Sequence, residues 1–326
     1  MRAQRWILGL FLLFALLWLI APVEPVDHEI SFNAKGLEGD LDLWLQMTEQ
    51  QFPDIRPGAA KRILWAGEKG ARTPLAIVYI HGFSGSAEEI RPVPDEVART
   101  LGANLYFSRL AGHGRRPAAM AEPDAGDWIE DMAEAMAIGR RLGDRVLVIG
   151  TSTGATLAAI AATDPRLSPG MAGVVMISPN FRLASPAAMI LNLPYARWWA
   201  PVLTGQTRSF DAQNPSHAKH WTNSYPTTAL FPMAALMREA RAQDYTAAKM
   251  PLLVIYSPED QIIDTDAIAP VTAEWGGDVQ IEQRHMQTGD DPLAHVIAGD
   301  ILSPGQTEPV IDLITLWAKG LLAKGP

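Results

Sequence analysis

Residues 145–162 read RVLVIGTSTGATLAAIAA. Arg145 to Ile149 is a short β-branched run of buried-strand character, and Ala155 to Ala162 is a helix former that stops at Asp164-Pro165. Only five residues separate them, Gly150-Thr151-Ser152-Thr153-Gly154, so a strand passes into a helix through one tight turn. The same alternation extends in both directions. Leu75 to Ile80 (LAIVYI) and Asn104 to Arg109 read as strands before it. Asp127 to Leu142 reads as a helix, with Trp128, Met132, Ala135, Met136 and Gly139 on one face. Gly173 to Ile177, Leu252 to Tyr256 and Asp278 to Gln283 continue the strands, and Glu308 to Leu322 closes the chain as a helix. Strands alternating with helices in this way predict an α/β fold, a mostly parallel central sheet with helices on both faces. Residues 42–51 read as a further helix and 63–65 as an edge strand or hairpin. The stretch 181–245, rich in Pro, Trp, Met and Tyr, breaks the rhythm and is expected to be a helical insertion.

Composition narrows the chemistry. Lys plus Arg is 27 and Asp plus Glu 36 in 326 residues, a net charge of −9 that opposes binding to a phosphate backbone, so no nucleic-acid partner is expected. A hydrophobic content of 48% against 19% charged residues describes a folded chain. There is no cysteine, which excludes thiol nucleophiles, zinc-thiolate sites and disulfides. No phosphate loop, dinucleotide fingerprint or HExxH is present, and no cofactor or metal is expected. Residues 1–26 stand apart: Arg2 and Arg5 precede an uncharged run from Trp6 to Val23. Its length and the missing A-x-A spacing favour an uncleaved membrane anchor over a cleaved signal peptide, with the amino terminus cytoplasmic and the bulk of the chain on the other side, secreted if cleavage occurs.

The turn at 150–154 is the one G-x-S-x-G of the chain, and strand before with helix after is the setting in which such a serine stands exposed at a sheet edge as a nucleophile. A hydroxyl needs a base, and the base an orienting carboxylate, expected later in the chain just past strand ends. Asp260, in Ser257-Pro258-Glu259-Asp260 after the strand Leu252 to Tyr256, is the candidate carboxylate, with Glu259 and Asp264 as rivals. His295, in Pro292-Leu293-Ala294-His295, is the candidate base, with His285 as its rival. An oxyanion would be held by two backbone N–H groups, that of Thr153 and one from His81-Gly82-Phe83-Ser84-Gly85, for which Phe83 is the choice. His81 and the Gly112-His113-Gly114 turn read as structural.

With these residues in view, the chain resembles the α/β-hydrolase superfamily over residues 70–322, and within it the monoacylglycerol lipase and microbial carboxylesterase group, also classed with serine aminopeptidase-like hydrolases. The resemblance implies a Ser152, Asp260, His295 triad, ester hydrolysis through an acyl-enzyme, and a cap inserted after the strand Gly173 to Ile177. Thr151 and Thr153 depart from the residues common at the elbow, and the approach to His295 departs from the Ser-Gly-His form. The expected organisation is an anchor at 1–26, a core at 27–180 and 246–326, and a cap at 181–245. The expected substrate is a small ester or a lipid. An amidase or peptidase on the same triad, and a silent binding module on the same fold, are the alternatives; an aspartate-based dehalogenase is disfavoured by Ser152. His217 and His220 read as a solvated cap face. The apolar residues Met189, Ile190, Leu191, Leu193, Tyr195, Trp198, Trp199, Leu203, Tyr225, Phe231 and Met233 read either as cap packing or as an acyl pocket.

Overall fold

The structure, a computed structural model, describes residues 6, 21–37 and 39–323. Nine strands are found among the described residues: β1 (Arg62–Leu64), β2 (Thr73–Ile80), β3 (Asn104–Phe107), β4 (Gly143–Thr151), β5 (Met171–Ile177), β6 (Thr207–Ser209), β7 (Ser224–Pro226), β8 (Leu252–Tyr256) and β9 (Val279–Gln283). The α-helices are α1 (Leu41–Glu49), α2 (Val93–Leu101), α3 (Ala125–Leu142), α4 (Thr153–Thr163), α5 (Ala196–Thr204), α6 (Pro215–His220), α7 (Leu230–Arg241), α8 (Ile268–Glu274) and α9 (Pro304–Ala323). Seven strands form one sheet in the order β1-β3-β2-β4-β5-β8-β9, in which every pairing is parallel except that of β1 with β3.

Period-two alternation sorts the strand side chains to opposite faces. Ala76, Val78, Val146, Val148, Val174 and Met176 face α3, α4 and α7, while Ile77, Tyr79, Leu147, Ile149, Val175 and Ile177 face α2 and α9. Helix α4 is apolar on all sides and buried from Thr153 to Ala162, as a helix enclosed by sheet and neighbouring helices must be. Helix α3 begins at a reciprocal capping box: the Asp124 carboxylate accepts from the N–H groups of Gly126 and Asp127, and Asp127 accepts from the N–H of Asp124. Strand β3 ends at Phe107, short of the expected Arg109. The Ser108 N–H still reaches the Tyr79 carbonyl, but Arg109 turns away to a buried ion pair with Glu49 of α1 at 2.6 Å.

Between β5 and β8 the chain leaves the sheet. This excursion carries α5, α6 and α7, yet it also holds an antiparallel ribbon of β6 with β7, which corrects the expectation of a purely helical insertion. The two ribbon strands have three residues each and lie far apart in sequence, too short for alternation to be visible. No helix among the described residues is long and apolar enough to cross a membrane. The expected anchor at 1–26 lies, but for residues 6 and 21–26, outside the described residues.

Candidate active site

Ser152 sits where β4 hands over to α4, at the carboxyl edge of the sheet with β2 and β5 on either side. Its backbone has φ 52° and ψ −114°, a left-handed conformation costly for any side-chain-bearing residue. The turn is held by the Ser152 N–H on the Ile177 carbonyl (2.8 Å) and by the N–H of Thr156 on the Ser152 carbonyl (3.1 Å). Both flanking glycines are obligatory for space: a Cβ at Gly150 would lie 2.5 Å from the Gly154 carbonyl oxygen, and one at Gly154 only 2.1 Å from that of Ile80.

Beside it stands His295, whose Nε2 lies 3.0 Å from Ser152 Oγ and whose Nδ1 lies 2.8 Å from Asp260 Oδ2. The buried carboxylate of Asp260 accepts a hydrogen bond from Nδ1–H and so keeps the proton on Nδ1, which leaves the Nε2 lone pair directed at the hydroxyl. Asp260 is fixed in turn through its other oxygen by the N–H groups of Ile262 (2.8 Å) and Ile263 (3.0 Å). Burial pulls the imidazole pKa down, but the charge and hydrogen bond of Asp260, with Glu89 and Asp291 farther off, outweigh it, so His295 titrates above its ordinary value. The rivals lie apart from this group. His285 and Glu259 pair with each other at 2.5 Å on the exposed surface, and Asp264 pairs with Arg182.

The chain that carries His295 is clamped at both ends. Asp291 Oδ2 accepts from the N–H of His295 (3.1 Å) and of Val296 (3.0 Å), and its Oδ1 accepts from the N–H of Leu293 (3.1 Å) and from Gln213 Nε2 (2.8 Å). The His295 carbonyl accepts from Ser178 Oγ at 2.7 Å. The clamp holds a strained backbone, since Ala294 (φ 54°) and Ser178 (φ 45°) both have positive φ. Gln213 belongs to the excursion between β5 and β8, so that segment is tied through Asp291 to the main chain of His295.

On the other side of Ser152 lies the loop 81–85. His81 donates from Nδ1 to the Gly82 carbonyl (2.9 Å) and accepts at Nε2 from the N–H of Leu110 (3.1 Å), and burial holds its pKa down at about 4. It is a neutral brace for the loop. The ring of His113 packs on it at 5.1 Å and is likewise kept neutral by burial. Glu89, fully enclosed, accepts at Oε2 from the N–H of Gly82 (2.7 Å) and from the Tyr79 hydroxyl (3.1 Å). Burial raises its carboxyl to about 7 despite those bonds and the nearby His295. A Cβ at Gly82 would lie 2.8 Å from Glu89 Oε1 and 3.1 Å from Ser152 Cβ, so the loop can approach the serine only with glycine there. The N–H groups of Phe83 and Thr153 donate to no acceptor among the described residues.

Ser152 and His295 open on a cavity of about 430 Å³ whose wall is mainly apolar, including Phe83, Trp221, Tyr225, Leu230, Met233 and Ile262. Tyr225 and Met233 therefore serve as pocket wall, Phe231 as packing, and Met189, Trp198 and Leu203 as exposed surface. His217 corrects the expectation of a solvated face: it is buried, its ring 4.7 Å from Trp221, and it lines the cavity, because aromatic neighbours enclose it. Neither Glu89 nor Asp291 stands out in the sequence for these contacts. Asp291, four residues before His295 and followed by proline, carried the fainter signal of a carboxylate capping its own loop.

A model of the family described as serine aminopeptidase, S33, matches residues 72–285, which takes in Ser152 and Asp260 and ends before His295. No curated protein matches the chain. Among solved structures, one from work on the metagenome-derived lipolytic enzymes LipS and LipT is 20% identical with a TM-score of 0.67, over 82% of this chain and 99% of that one. The monoacylglycerol lipase of Paleococcus ferrophilus is 16% identical with a TM-score of 0.58, over 80% of this chain and 98% of that one. A soluble variant of monoglyceride lipase from Saccharomyces cerevisiae is 12% identical with a TM-score of 0.59, over 91% of this chain and 99% of that one. At these identities the likeness is one of fold.

Proposed function

The chain belongs to the serine aminopeptidase S33 family of α/β-hydrolases, and from that premise we propose that it is a serine hydrolase cleaving carboxylic esters through an acyl-enzyme on Ser152. The observation that carries this reading is the alignment of Ser152 Oγ, His295 and Asp260 at 3.0 and 2.8 Å beside an apolar cavity. In the proposed reaction His295 Nε2 removes the hydroxyl proton as Oγ attacks the ester carbonyl, and Asp260 stabilises the imidazolium that results. The free N–H groups of Phe83 and Thr153 receive the oxyanion. The imidazolium then returns its proton to the departing alkoxide. Water, deprotonated by the same Nε2, attacks the acyl-enzyme and regenerates the serine. A mainly apolar wall suits an acyl chain or another apolar group better than a charged one.

Peptide or amide cleavage is the second reading, favoured by one observation: Asp211, an acidic residue of 181–245, lines the cavity, where it would meet a substrate amine. Residues 181–245 act in either case as the cap over a core of 27–180 and 246–326, and the apolar run from Trp6 to Val23 anchors the enzyme to a membrane with the core on the non-cytoplasmic side.

A fluorophosphonate probe tests the nucleophile. The wild type should be labelled and Ser152→Ala should not, with ester turnover falling by about 10⁴-fold or more. A folded wild type that resists the probe overturns the reading. Comparison of p-nitrophenyl esters of increasing chain length with aminoacyl anilides then separates the two substrate classes.

A further inference from the structure

The described chain resumes at Ala21 directly against the segment 181–245. The Pro22 carbonyl accepts from the N–H of Tyr195 at 3.3 Å, the Glu24 carboxylate pairs with Arg197, and the Glu24 carbonyl accepts from Arg238. Helix α5, where this contact falls, is inside out for a surface helix. Its small residues Ala196, Ala200 and Pro201 turn inward. Trp198, Val202 and Leu203 point outward at 69, 74 and 74% exposure, and Met189, before the helix, adds another apolar side chain at 72%. Tyr195 stacks on Trp198 with ring centroids 5.4 Å apart. The one charge on α5, Arg197, is taken up by Glu24, leaving no free charge on the helix. A contiguous apolar face of this kind marks a contact with another apolar phase.

Which phase is indicated by where the face lies. The uncharged run from Trp6 to Val23 leads straight into it: Pro22 within that run, and Glu24 directly after it, make the hydrogen bonds to the start of α5 and to α7. We propose that the outward face of α5, with Met189 and Tyr195, rests in the interfacial layer of a lipid bilayer, held there by the preceding apolar run. This inference builds on the membrane anchoring proposed above. Trp198 and Tyr195 lie at headgroup depth, where amphipathic aromatic rings concentrate, while Val202 and Leu203 reach the acyl boundary. Leu183, Leu230 and Met233 of the same segment line the active-site cavity. One segment thus turns one apolar face to lipid and another to substrate, which favours substrates drawn from the membrane.

The absence of cysteine makes the test direct, because each introduced thiol is the only one in the chain. Full-length Val202→Cys and Leu316→Cys are labelled with bimane and mixed with vesicles of phosphatidylcholine and phosphatidylglycerol containing doxyl-labelled lipid. Leu316 is the control: it is 74% exposed on α9, which covers the opposite face of the sheet. The label at 202 should be quenched about threefold or more relative to that at 316, as expected for a side chain below the headgroups. Equal quenching with the protein still floating with the vesicles overturns the proposal and leaves the anchor reading standing. Failure to float overturns both. A label at 202 that is shielded without lipid, in a chain that sediments as a dimer, assigns the face to a second copy and overturns the proposal as well. Turnover of a short soluble ester should be unchanged in both variants, since neither residue touches the site.

Discussion

At the scale of single residues, the site depends on carboxylates that never meet the reacting atoms. Asp291 holds the N–H groups of His295 and Val296 and contributes negative charge near the imidazole. Asp291→Asn removes that charge and forces an amide among donors. We expect kcat to fall by about 10- to 100-fold with little change in KM, as for a base displaced by less than an ångström. The acid limb of the kcat/KM profile should also move to lower pH, because an imidazole with less negative charge beside it loses its proton more easily. An unmoved limb would reduce Asp291 to a purely structural part. Glu89 behaves differently. Its carboxyl titrates at about 7 in the fold against 4.5 in the unfolded chain, so its contribution to stability is complete below pH 4.5 and is lost as pH rises to about 7. Glu89→Gln should abolish that slope, so that over this window the wild type loses up to about 3 kcal/mol relative to the variant. Parallel melting curves across pH 4 to 8 would contradict it. That Ser152, Asp260 and His295 come together was legible in the sequence because each follows a strand of the sheet, in the chain order that the resemblance to the α/β-hydrolases implies. The roles of Glu89 and Asp291 were not, since they depend on which loop amides the fold brings to them.

At the scale of elements, the parallel strands and their helices were readable because buried β-branched runs and helical periodicity are local signals. The strand boundaries moved by a residue or two: β4 runs from Gly143 to Thr151 where Arg145 to Ile149 was expected, because its pairing with β2 and β5 extends the ladder past the apolar run. The β6–β7 ribbon was invisible for the opposite reason, as its strands are specified by partners rather than by their own residues. The junction of β4 with α4 is the element most exposed to a single methyl group. In Gly154→Ala the new carbon would collide with the Ile80 carbonyl of the neighbouring strand at 2.1 Å. Backbone cannot give way as a side chain would, so we expect a loss of about 3–5 kcal/mol or failure to accumulate folded protein. A denaturation midpoint indistinguishable from wild type would show that the turn has room for the methyl group.

At the scale of the whole molecule, the strand–helix alternation and its break over 181–245 were enough to foresee a main sheet with an excursion from it. What the excursion does to the site was not foreseeable, because Gln213 reaches Asp291 across 78 residues of sequence. The distribution of backbone strain has a further consequence. Among the described residues five non-glycine residues have positive φ, and four of them are Ser152 itself and Ser84, Ser178 and Ala294 around the serine and its base. At about 1–3 kcal/mol each, these conformations concentrate backbone strain in the neighbourhood of the triad. On warming, those loops should let go before the sheet does. Ester turnover should therefore be lost several degrees below the midpoint of the far-ultraviolet circular dichroism transition, and amide exchange in 82–85 and 291–296 should outpace that in β2, β4 and β5. Coincident loss of activity and secondary structure would mean that the strain is fully braced. Otherwise the enzyme has a working temperature limit set by its catalytic loops, and stiffening the core would not raise it.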